Sequence, residues 1–259
     1  MKVLYSLLLS CSLAFALAQD FSPALDPFEE AMKQRELFIQ TAGILPGELF
    51  AFEGEELFFT ARGPNDVTME DCDFGLGPGV LEGAYAQLPR YFEDTDQVED
   101  ADRRVLTCMT MVQGFSPDDI DRDEVKAVVA YVSSLSNGEE IHLDLSAPKM
   151  QEMYDLGELL WFYRAGSRDF SCESCHDAAA GKRVRLSPLR SPTQGLSDHW
   201  PAYRFESDLL YTLEDRIQYC YDSISVPEPV HYSDPLVALS VYMRAIADGF
   251  PLDVVGFTR

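Results

Sequence analysis

The chain has 259 residues, with 44 acidic and 20 Lys or Arg side chains and a formal net charge of −24. A negative field of this strength disfavours nucleic acid and anionic membrane surfaces as partners. It is typical of a protein that docks onto basic partners, or of one whose charge serves only solubility.

The N-terminus predicts an exported protein. Lys2 precedes an apolar run over 3–17 that ends in Ala-Leu-Ala, so we expect a signal peptide over residues 1–18, too short to span a membrane as a helix. No other apolar run is long enough to span a bilayer. Removal of the signal, with Cys11 inside it, leaves about 240 residues, enough for one large or two small domains. Export and persistent disulfides predict a periplasmic location.

The mature chain begins with a stretch from 23 to about 40 that is compatible with a helix, followed by the breaker Gly-Ile-Leu-Pro-Gly at 43–47. A pattern then recurs. Residues 54–59 (Gly-Glu-Glu-Leu-Phe-Phe) resemble 157–162 (Gly-Glu-Leu-Leu-Trp-Phe), and each segment leads through a short polar stretch to a cysteine. In the same order, Arg-Val-Leu-Thr-Cys ending at Cys108 resembles Arg-Ile-Gln-Tyr-Cys ending at Cys220.

A closing helix is predicted at the end of each half. The amphipathic positions are Val125, Val128, Val129, Val132 and Leu135 in the first helix and Leu236, Leu239, Met243 and Ile246 in the second, with Tyr131 and Tyr242 equivalent. We expect these helices to open after Asp123 and Asp234 and to stop at Gly138 and Gly249.

These repeats predict a tandem duplication with its boundary near 144–149. The two domains are expected to be 19–146 with the lead-in helix, and 147–259. Each is about the size of a small class I cytochrome c, and neither shows sustained strand alternation. The fold class is therefore mainly α, built from cytochrome c-like domains.

The second half carries the motif Cys172-Glu-Ser-Cys175-His176, by which a chain captures a c-type haem. Two thiols reach the two vinyl groups of the porphyrin, and the following imidazole points at the iron. A redox Cys-x-x-Cys would be expected in a βαβ setting, and none precedes the motif. Half of a zinc site would need a second ligand pair, and none follows. One covalently bound haem c is therefore expected, with His176 as an axial ligand.

The first half lacks this motif, because Cys72 is followed by Asp-Phe-Gly-Leu. Cys72 and Cys108 could form a disulfide in a domain that has lost its haem, which would contribute roughly 3–4 kcal/mol on the chain-entropy model. The alternative is that one of the two is a free reactive thiol.

The second axial ligand has four candidates. An electron-carrying cytochrome of this type takes a downstream methionine, but none lies between His176 and Met243, whose spacing favours packing. His199 and His231 lie in loop-like stretches and are more typical of surface or hydrogen-bonded histidines. Cys220 is the sulfur left over if the motif cysteines bind haem and the other two pair.

The spacing of Leu209, Leu213, Ile217 and Cys220 predicts one stripe of an amphipathic helix, which would point the Cys220 sulfur toward the haem. A thiolate ligand would lower the reduction potential, whereas the alternative is a buried inert cysteine. Arg216 lies one turn earlier and could bind a small oxyanion.

The segment after the haem motif is the most basic of the chain: it contains Lys182, Arg183, Arg185 and Arg190. These cations could act at the anion site, pair with haem propionates, or form surface ion pairs.

Together the duplicated cytochrome, the Arg-x-x-x-Cys at 216–220 and the ending from Val241 to Arg259 resemble the SoxA family, the SoxA subunits of the SoxAX cytochromes of bacterial thiosulfate oxidation. The resemblance covers nearly all of the mature chain. The missing first motif resembles the single-haem members of that family, in which a disulfide replaces the first haem.

The resemblance implies an L-cysteine S-thiosulfotransferase, which joins thiosulfate oxidatively to a cysteine of a SoxYZ carrier protein. It implies Cys220, a persulfide in family members, as catalytic sulfur and haem ligand, and Arg216 as thiosulfate ligand. His176 would be the proximal ligand, and Cys172 and Cys175 the thioether anchors. A SoxX-type monohaem cytochrome c would form the heterodimer and accept the electrons.

Three other functions stay open at this point. The chain could be a plain electron-transfer cytochrome with a structural Cys220, or a noncatalytic scaffold subunit whose acidic surface docks a partner. It could also be a thiosulfate dehydrogenase that forms tetrathionate without a carrier protein.

Overall fold

A computed structural model describes residues 27–184 and 187–258. The predicted signal peptide 1–18 lies outside the described residues. The helices are α1 (Pro27–Ala42), α2 (Pro46–Phe59), α3 (Ala101–Met111), α4 (Arg122–Ser134), α5 (Pro148–Phe162), α6 (Cys172–His176), α7 (Leu213–Ser223) and α8 (Asp234–Ile246). The strands are β1 (Arg90–Phe92), β2 (Gln97–Glu99), β3 (Arg183–Val184), β4 (Ser187–Pro188), β5 (Ala202–Arg204), β6 (Leu209–Tyr211) and β7 (Phe257–Thr258). Helices dominate, so the predicted mainly α fold class is confirmed.

The duplication is visible in two pairs of crossing helices, α2 with α4 and α5 with α8. A glycine lies at each crossing: a Cβ added to Gly54 would lie 1.9 Å from the Ala127 carbonyl oxygen, and one added to Gly157 would lie 2.1 Å from that of Ala238. Only a residue without a side chain allows backbones to approach this closely. The equivalent rings also pack alike, with Phe58 against Tyr131 at 5.6 Å and Trp161 against Tyr242 at 5.7 Å.

Between the crossing helices, each half contains a short hairpin followed by a helix. β1 and β2 pair antiparallel before α3, and β5 and β6 pair in the equivalent register before α7, 112 residues later (Arg90 to Ala202). In the second half, β7 adds to β5 in parallel. Strand alternation is too short in these three-residue strands to be recognised in the sequence.

The two halves pack on each other. The larger core cluster is built mainly from α2, α3 and α4 but also contains Val237, Val241 and Leu252 from the second half. The backbone joins the halves too, since Ile141 N donates to Phe250 O at 3.0 Å and Leu252 N donates to Glu139 O at 2.9 Å. A second cluster is formed around Trp161, Trp200, α7 and α8. The proposed boundary near 144–149 stays a prediction.

The sulfurs of the first half form the predicted Cys72–Cys108 disulfide, with the two Cα atoms 5.7 Å apart. The alternative of a free reactive thiol in this half is therefore wrong. Both cysteines are buried in the larger cluster beside Phe74. Cys108 is the counterpart of Cys220, so one copy of this helix has its sulfur closed in a disulfide and the other copy does not.

Several expected element boundaries were wrong. The side chain that caps α4 is Asp121, which accepts from the Asp123 amide at 2.9 Å. Asp234 is the first residue of α8, where it forms an ion pair with Arg103 at 2.8 Å, and Ser233 is in the N-cap position. Leu209 does not continue the stripe of α7, because it pairs across the β5–β6 hairpin. The breaker at 43–47 ends inside α2, which starts at Pro46.

No helix in the described residues is both long enough and apolar enough to cross a membrane.

The glycine at the second crossing is expected to be required for stability. Gly157→Ala would force the α5 and α8 backbones apart and destabilise the protein by about 1–3 kcal/mol. Glu158→Ala, an exposed change on the same helix, should stay within about 0.5 kcal/mol. Thermal unfolding followed by circular dichroism measures both, and equal melting temperatures for the two variants would contradict the close contact.

Candidate functional site

The haem-attachment motif forms α6, a single helical turn whose start is fixed by Ser171. The Ser171 hydroxyl accepts from the Ser174 amide at 3.3 Å, and the Ser174 hydroxyl accepts from the Ser171 amide at 3.1 Å. This reciprocal cap begins the helix at Cys172. The end of the turn is held by Asp177, which accepts from the Trp161 indole at 2.8 Å. The crossing helix α5 thereby positions the motif.

His176 has one ring nitrogen engaged and one available. Its Nδ1 lies 2.7 Å from the carbonyl oxygen of Arg190. A carbonyl can only accept, so Nδ1 carries the proton and Nε2 has a free lone pair. This arrangement is typical of a histidine that binds a metal through Nε2, since the second hydrogen bond fixes both tautomer and ring orientation.

A cavity of about 570 Å³ lies against the motif. Residues from α6, α7, β5 and the loops between them contribute to its wall, including Cys175, His176, Leu196, Trp200, Arg204, Arg216, Tyr219 and Cys220. Its volume is in the range of ligand and cofactor sites.

Cys220 lies close to His176 at this site. Burial would raise the pKa of the Cys220 thiol, but the positive charge of Arg216, the contact with His176 and the charge of Arg204 lower this pKa to about 7. A thiol with this pKa is partly ionised at neutral pH, and the thiolate is the form that attacks sulfur and binds metals.

The motif cysteines differ from Cys220. Burial raises the pKa of Cys172 to about 12 and also raises the pKa of Cys175. A redox Cys-x-x-Cys has a depressed thiol pKa, so this alternative is disfavoured. The zinc alternative also lacks support, because no group of three metal-binding side chains occurs in the described ranges 27–184 and 187–258.

Two of the other three candidates for the second iron ligand lie away from the cavity. Met243 is 4% exposed and packs in the second core cluster. His231 contacts Glu214 at 3.4 Å and is not among the residues that line the cavity. His199 does line the cavity, with its Nδ1 2.9 Å from Asp198, but Cys220 is the candidate that lies close to His176. The geometry therefore favours Cys220.

Arg216 lines the same cavity, and its Nη1 is buried without a hydrogen-bond partner. Its counterpart Arg104 is fully engaged: its Nε donates to the Asp73 carbonyl at 2.6 Å, and its Nη atoms reach Asp94 and Glu99. An unpaired guanidinium nitrogen is costly unless a ligand satisfies it. The second half has therefore kept the arginine but left its donors available to an anion.

The basic residues after α6 lie in different places. Arg190 lines the cavity, and Arg183 forms an exposed ion pair with Glu30 of α1. Lys182 is exposed. Arg185 lies outside the described residues.

Sequence reasoning missed two parts of the cavity wall. Gln34 and Arg35 from α1 and Phe257 and Thr258 from β7 border the cavity, although both segments are distant from the motif in the chain. It also missed Arg204, which aligns with Phe92 in the hairpin of the first half. The comparison of residues 89–92 (Pro-Arg-Tyr-Phe) with 201–204 (Pro-Ala-Tyr-Arg) could have found it.

A buried ionic network fixes the start of α7, the helix that carries Arg216 and Cys220. Arg122 of α4 reaches Asp102 at 2.5 Å and Asp215 at 3.0 Å. Glu214 is fully buried and accepts from the Tyr232 amide at 3.0 Å. Burial and the neighbouring Asp102 raise the pKa of Glu214 to about 8, although Arg122 opposes the shift.

These residues fit a covalently attached haem. The motif supplies two thiols on one helical turn, His176 offers a free Nε2, and a soft sulfur faces it beside a cavity of sufficient size. Imidazole and thiolate are both established haem iron ligands.

Three kinds of comparison relate this chain to known proteins. A family model described as the SoxA/TsdA cytochrome c domain matches residues 53–141 and 156–252, one segment in each half. Two proteins named L-cysteine S-thiosulfotransferase subunit SoxA are each 41% identical to this chain. The one from Hydrogenobacter thermophilus (strain DSM 6534 / IAM 12695 / TK-6) matches over 95% of this chain and 93% of its own. The one from Hydrogenophilus thermoluteolus matches over 95% and 92%.

The fold also resembles a solved structure, the crystal structure of SoxXA from P. pantotrophus. The TM-score is 0.75 at 22% identity, and the match covers 88% of this chain and 83% of the other. At this identity the likeness supports the fold, including its mainly helical architecture.

The buried Glu214 predicts a pH-dependent stability. Its carboxyl has a folded pKa raised from 4.5 to about 8, so the folded state holds a proton that the unfolded state releases. This contribution is fully present below about pH 4.5 and is lost as the pH rises toward 8. The facing groups are Asp102, Arg122, Asp215 and His231.

Glu214→Gln cannot ionise, so its melting temperature should rise relative to the unmodified protein between pH 5 and pH 8. Asp222→Asn, an exposed change on the same helix, should show no such trend. If the melting temperatures of Glu214→Gln and the unmodified protein changed in parallel with pH, a protonated Glu214 would be contradicted.

Proposed function

This chain belongs to the SoxA/TsdA cytochrome c domain family, and from that premise we propose that it is the haem-bearing subunit of an L-cysteine S-thiosulfotransferase. The proposal is carried by one observation: Cys220, a sulfur outside the disulfide, lines the same cavity as His176 and Arg216, and the Arg216 guanidinium has a buried, unpaired donor. A plain electron carrier needs neither the thiolate nor the anion site.

The proposed substrates are thiosulfate and the thiol of a cysteine on a SoxYZ-type carrier protein. The overall reaction forms one sulfur–sulfur bond between the sulfane sulfur of thiosulfate and the carrier cysteine. It releases one proton from the carrier thiol and two electrons. The product is an S-thiosulfonate on the carrier, with the sulfonate group of thiosulfate intact.

Cys220 is the proposed nucleophile, and its sulfur carries the thiosulfate group between the two steps. Its Sγ first bonds to the sulfane sulfur of thiosulfate, and two electrons leave. The carrier thiolate then attacks that sulfane sulfur, the bond to Cys220 breaks, and the Cys220 thiolate is regenerated. The second step is a thiol–disulfide exchange, which is faster when the leaving thiol has a low pKa. The charges that lower the Cys220 pKa to about 7 therefore favour both its attack and its departure.

Arg216 is the proposed ligand of thiosulfate. Thiosulfate is a dianion, and a planar guanidinium can bind its oxygens through paired charge-assisted hydrogen bonds. Arg216 is one helical turn from Cys220, so an anion held there has its sulfane sulfur near the reactive thiol. The unpaired Nη1 makes a bound anion favourable, because it satisfies a donor that is already buried.

Cys172 and Cys175 would anchor one haem c through thioether bonds, and His176 and Cys220 would bind its iron. The bound haem supplies an acceptor for the electrons and a route to a SoxX-type monohaem cytochrome c in a heterodimer. A single haem is proposed because the first half holds the Cys72–Cys108 disulfide and no attachment motif.

The proposed location is the periplasm, after removal of residues 1–18. Haem attachment to the motif and retention of the disulfide both suit an oxidising compartment outside the cytoplasm.

Cys220→Ser is expected to abolish transfer of thiosulfate to the carrier, because a hydroxyl does not form the transient bond to sulfur. The loss in kcat should be at least 100-fold, with the covalent haem still present in the absorption spectrum. The assay is intact mass of the carrier after incubation with thiosulfate, the heterodimer and an electron acceptor. Transfer at an unchanged rate would remove Cys220 from the mechanism, and tetrathionate formation without carrier would favour the dehydrogenase instead.

Arg216→Gln is expected to lower kcat/KM for thiosulfate by about 10- to 100-fold, which corresponds to losing hydrogen bonds to a charged group. Arg164→Gln removes the same charge from an exposed site paired with Asp169 and should have little effect. Steady-state kinetics over a range of thiosulfate concentrations measures both. Similar values for the two variants would exclude Arg216 as the thiosulfate ligand.

A further inference from the structure

We propose that Arg204 is a second substrate-binding residue, which forms with Arg216 a clamp of two guanidinium groups around the dianion. The inference deepens the proposed function and rests on it. Arg204 lies on β5, outside the Arg-x-x-x-Cys segment, and lines the cavity together with Arg216 and Cys220.

Arg204 is buried with donors to spare. Its residue is only 5% exposed, and its Nε is buried without a hydrogen-bond partner. Within residues 27–184 and 187–258, the one carboxylate that it reaches is that of Glu206, at 2.7 Å from Nη2, and the Glu206 side chain is 52% exposed. The donors of a buried guanidinium are normally hydrogen-bonded to protein acceptors. The unpaired Nε of Arg204 is therefore available to an acceptor on a bound ligand.

Arg204 and Arg216 both lie against the ring of Tyr219. The Arg204 guanidinium lies 4.4 Å from the centre of the Tyr219 ring and 5.2 Å from that of Tyr211, and Arg216 lies 5.1 Å from Tyr219. Two cations that share one ring repel each other, and a bound dianion between them would convert this repulsion into attraction.

The carboxylates of the cavity wall leave this charge largely uncompensated. Five carboxylates in the described part of the chain line the cavity. Asp253 pairs with Arg35 at 3.0 Å, Asp198 contacts His199 at 2.9 Å, and Glu30 pairs with Arg183. Asp222 is exposed. Glu206, the remaining partner, is mostly in solvent, where ion pairs contribute little.

The haem-less half provides an internal comparison. At an offset of 112 residues, Arg104 corresponds to Arg216 and Phe92 corresponds to Arg204. In the first half Arg104 stacks 3.9 Å from the Phe92 ring and is paired with two carboxylates, Asp94 and Glu99.

The second half has changed three of these positions. The ring of Phe92 is replaced by Arg204, and the buried carboxylate of Glu99 is replaced by Tyr211. Arg90, whose guanidinium lies 5.9 Å from the Phe92 ring, is replaced by Ala202. Two cations with two carboxylates have become two cations with one carboxylate, at the same place in the fold. The change produces a net positive pocket only in the half that contains the motif and the unpaired sulfur.

The test compares Arg204→Gln, Arg204→Lys and the control Arg164→Gln in the haem-loaded heterodimer. We expect Arg204→Gln to raise the KM for thiosulfate about 10-fold or more with a smaller change in kcat, and Arg204→Lys to recover much of the loss. Sulfate, an unreactive dianion, serves as the binding probe in calorimetry and should bind Arg204→Gln at least 10-fold more weakly.

Glu206→Gln is the second variant, because its exposed side chain is not needed for folding. Freeing Arg204 from this carboxylate should lower the KM for thiosulfate about 2- to 5-fold. An unchanged KM in both Arg204→Gln and Glu206→Gln would overturn the proposal. A shifted reduction potential with unchanged thiosulfate KM would also overturn it, since Arg204 would then be paired with haem propionates.

The calorimetric measurement separates this inference from the proposed function. If the unmodified heterodimer binds sulfate through Arg204 but does not transfer thiosulfate to a carrier, the anion clamp stands and the proposed reaction is wrong. If transfer occurs and sulfate binding does not depend on Arg204, the clamp is wrong and the reaction stands.

Discussion

The close backbone contact between α5 and α8 at Gly157 is the constraint on which the site depends. It fixes the end of α5, where Trp161 holds Asp177, and thus the turn that presents His176. The same helix α8 packs against α7, which carries Cys220. Two side chains more than forty residues apart in the chain therefore face each other because both helices pack on the same crossing pair.

The two halves keep this framework and differ in what it holds. In the first half the sulfur of α3 is closed in a disulfide with Cys72, and the arginine of that helix is fully paired. In the second half the equivalent sulfur and arginine remain available in a cavity. Stability and reactivity have thus been separated between copies of one structural unit, and the first half also packs its core against α8.

The motif, the duplication and the mainly α fold could be predicted from the sequence because each has a local pattern. Counting cysteines left two alternatives for Cys72 and Cys108, namely a disulfide or a free thiol. The short hairpins were missed because three residues are too few to show alternation, and Leu209 was consequently assigned to a helix. Arg204 and the residues of α1 and β7 were missed because their proximity to Cys220 depends on tertiary packing, which leaves no periodic signal in a single sequence.

The strong net charge of −24 and an anionic substrate are compatible because electrostatic forces differ in range. At physiological ionic strength exposed charges are screened over about 8 Å, so the acidic surface acts only weakly on an ion already inside the cavity. Buried charges are screened much less, and there Arg204 and Arg216 are close to the ion while two of the wall carboxylates are paired with other groups. The acidic exterior can therefore favour basic partners while the interior binds the small dianion that we propose as substrate.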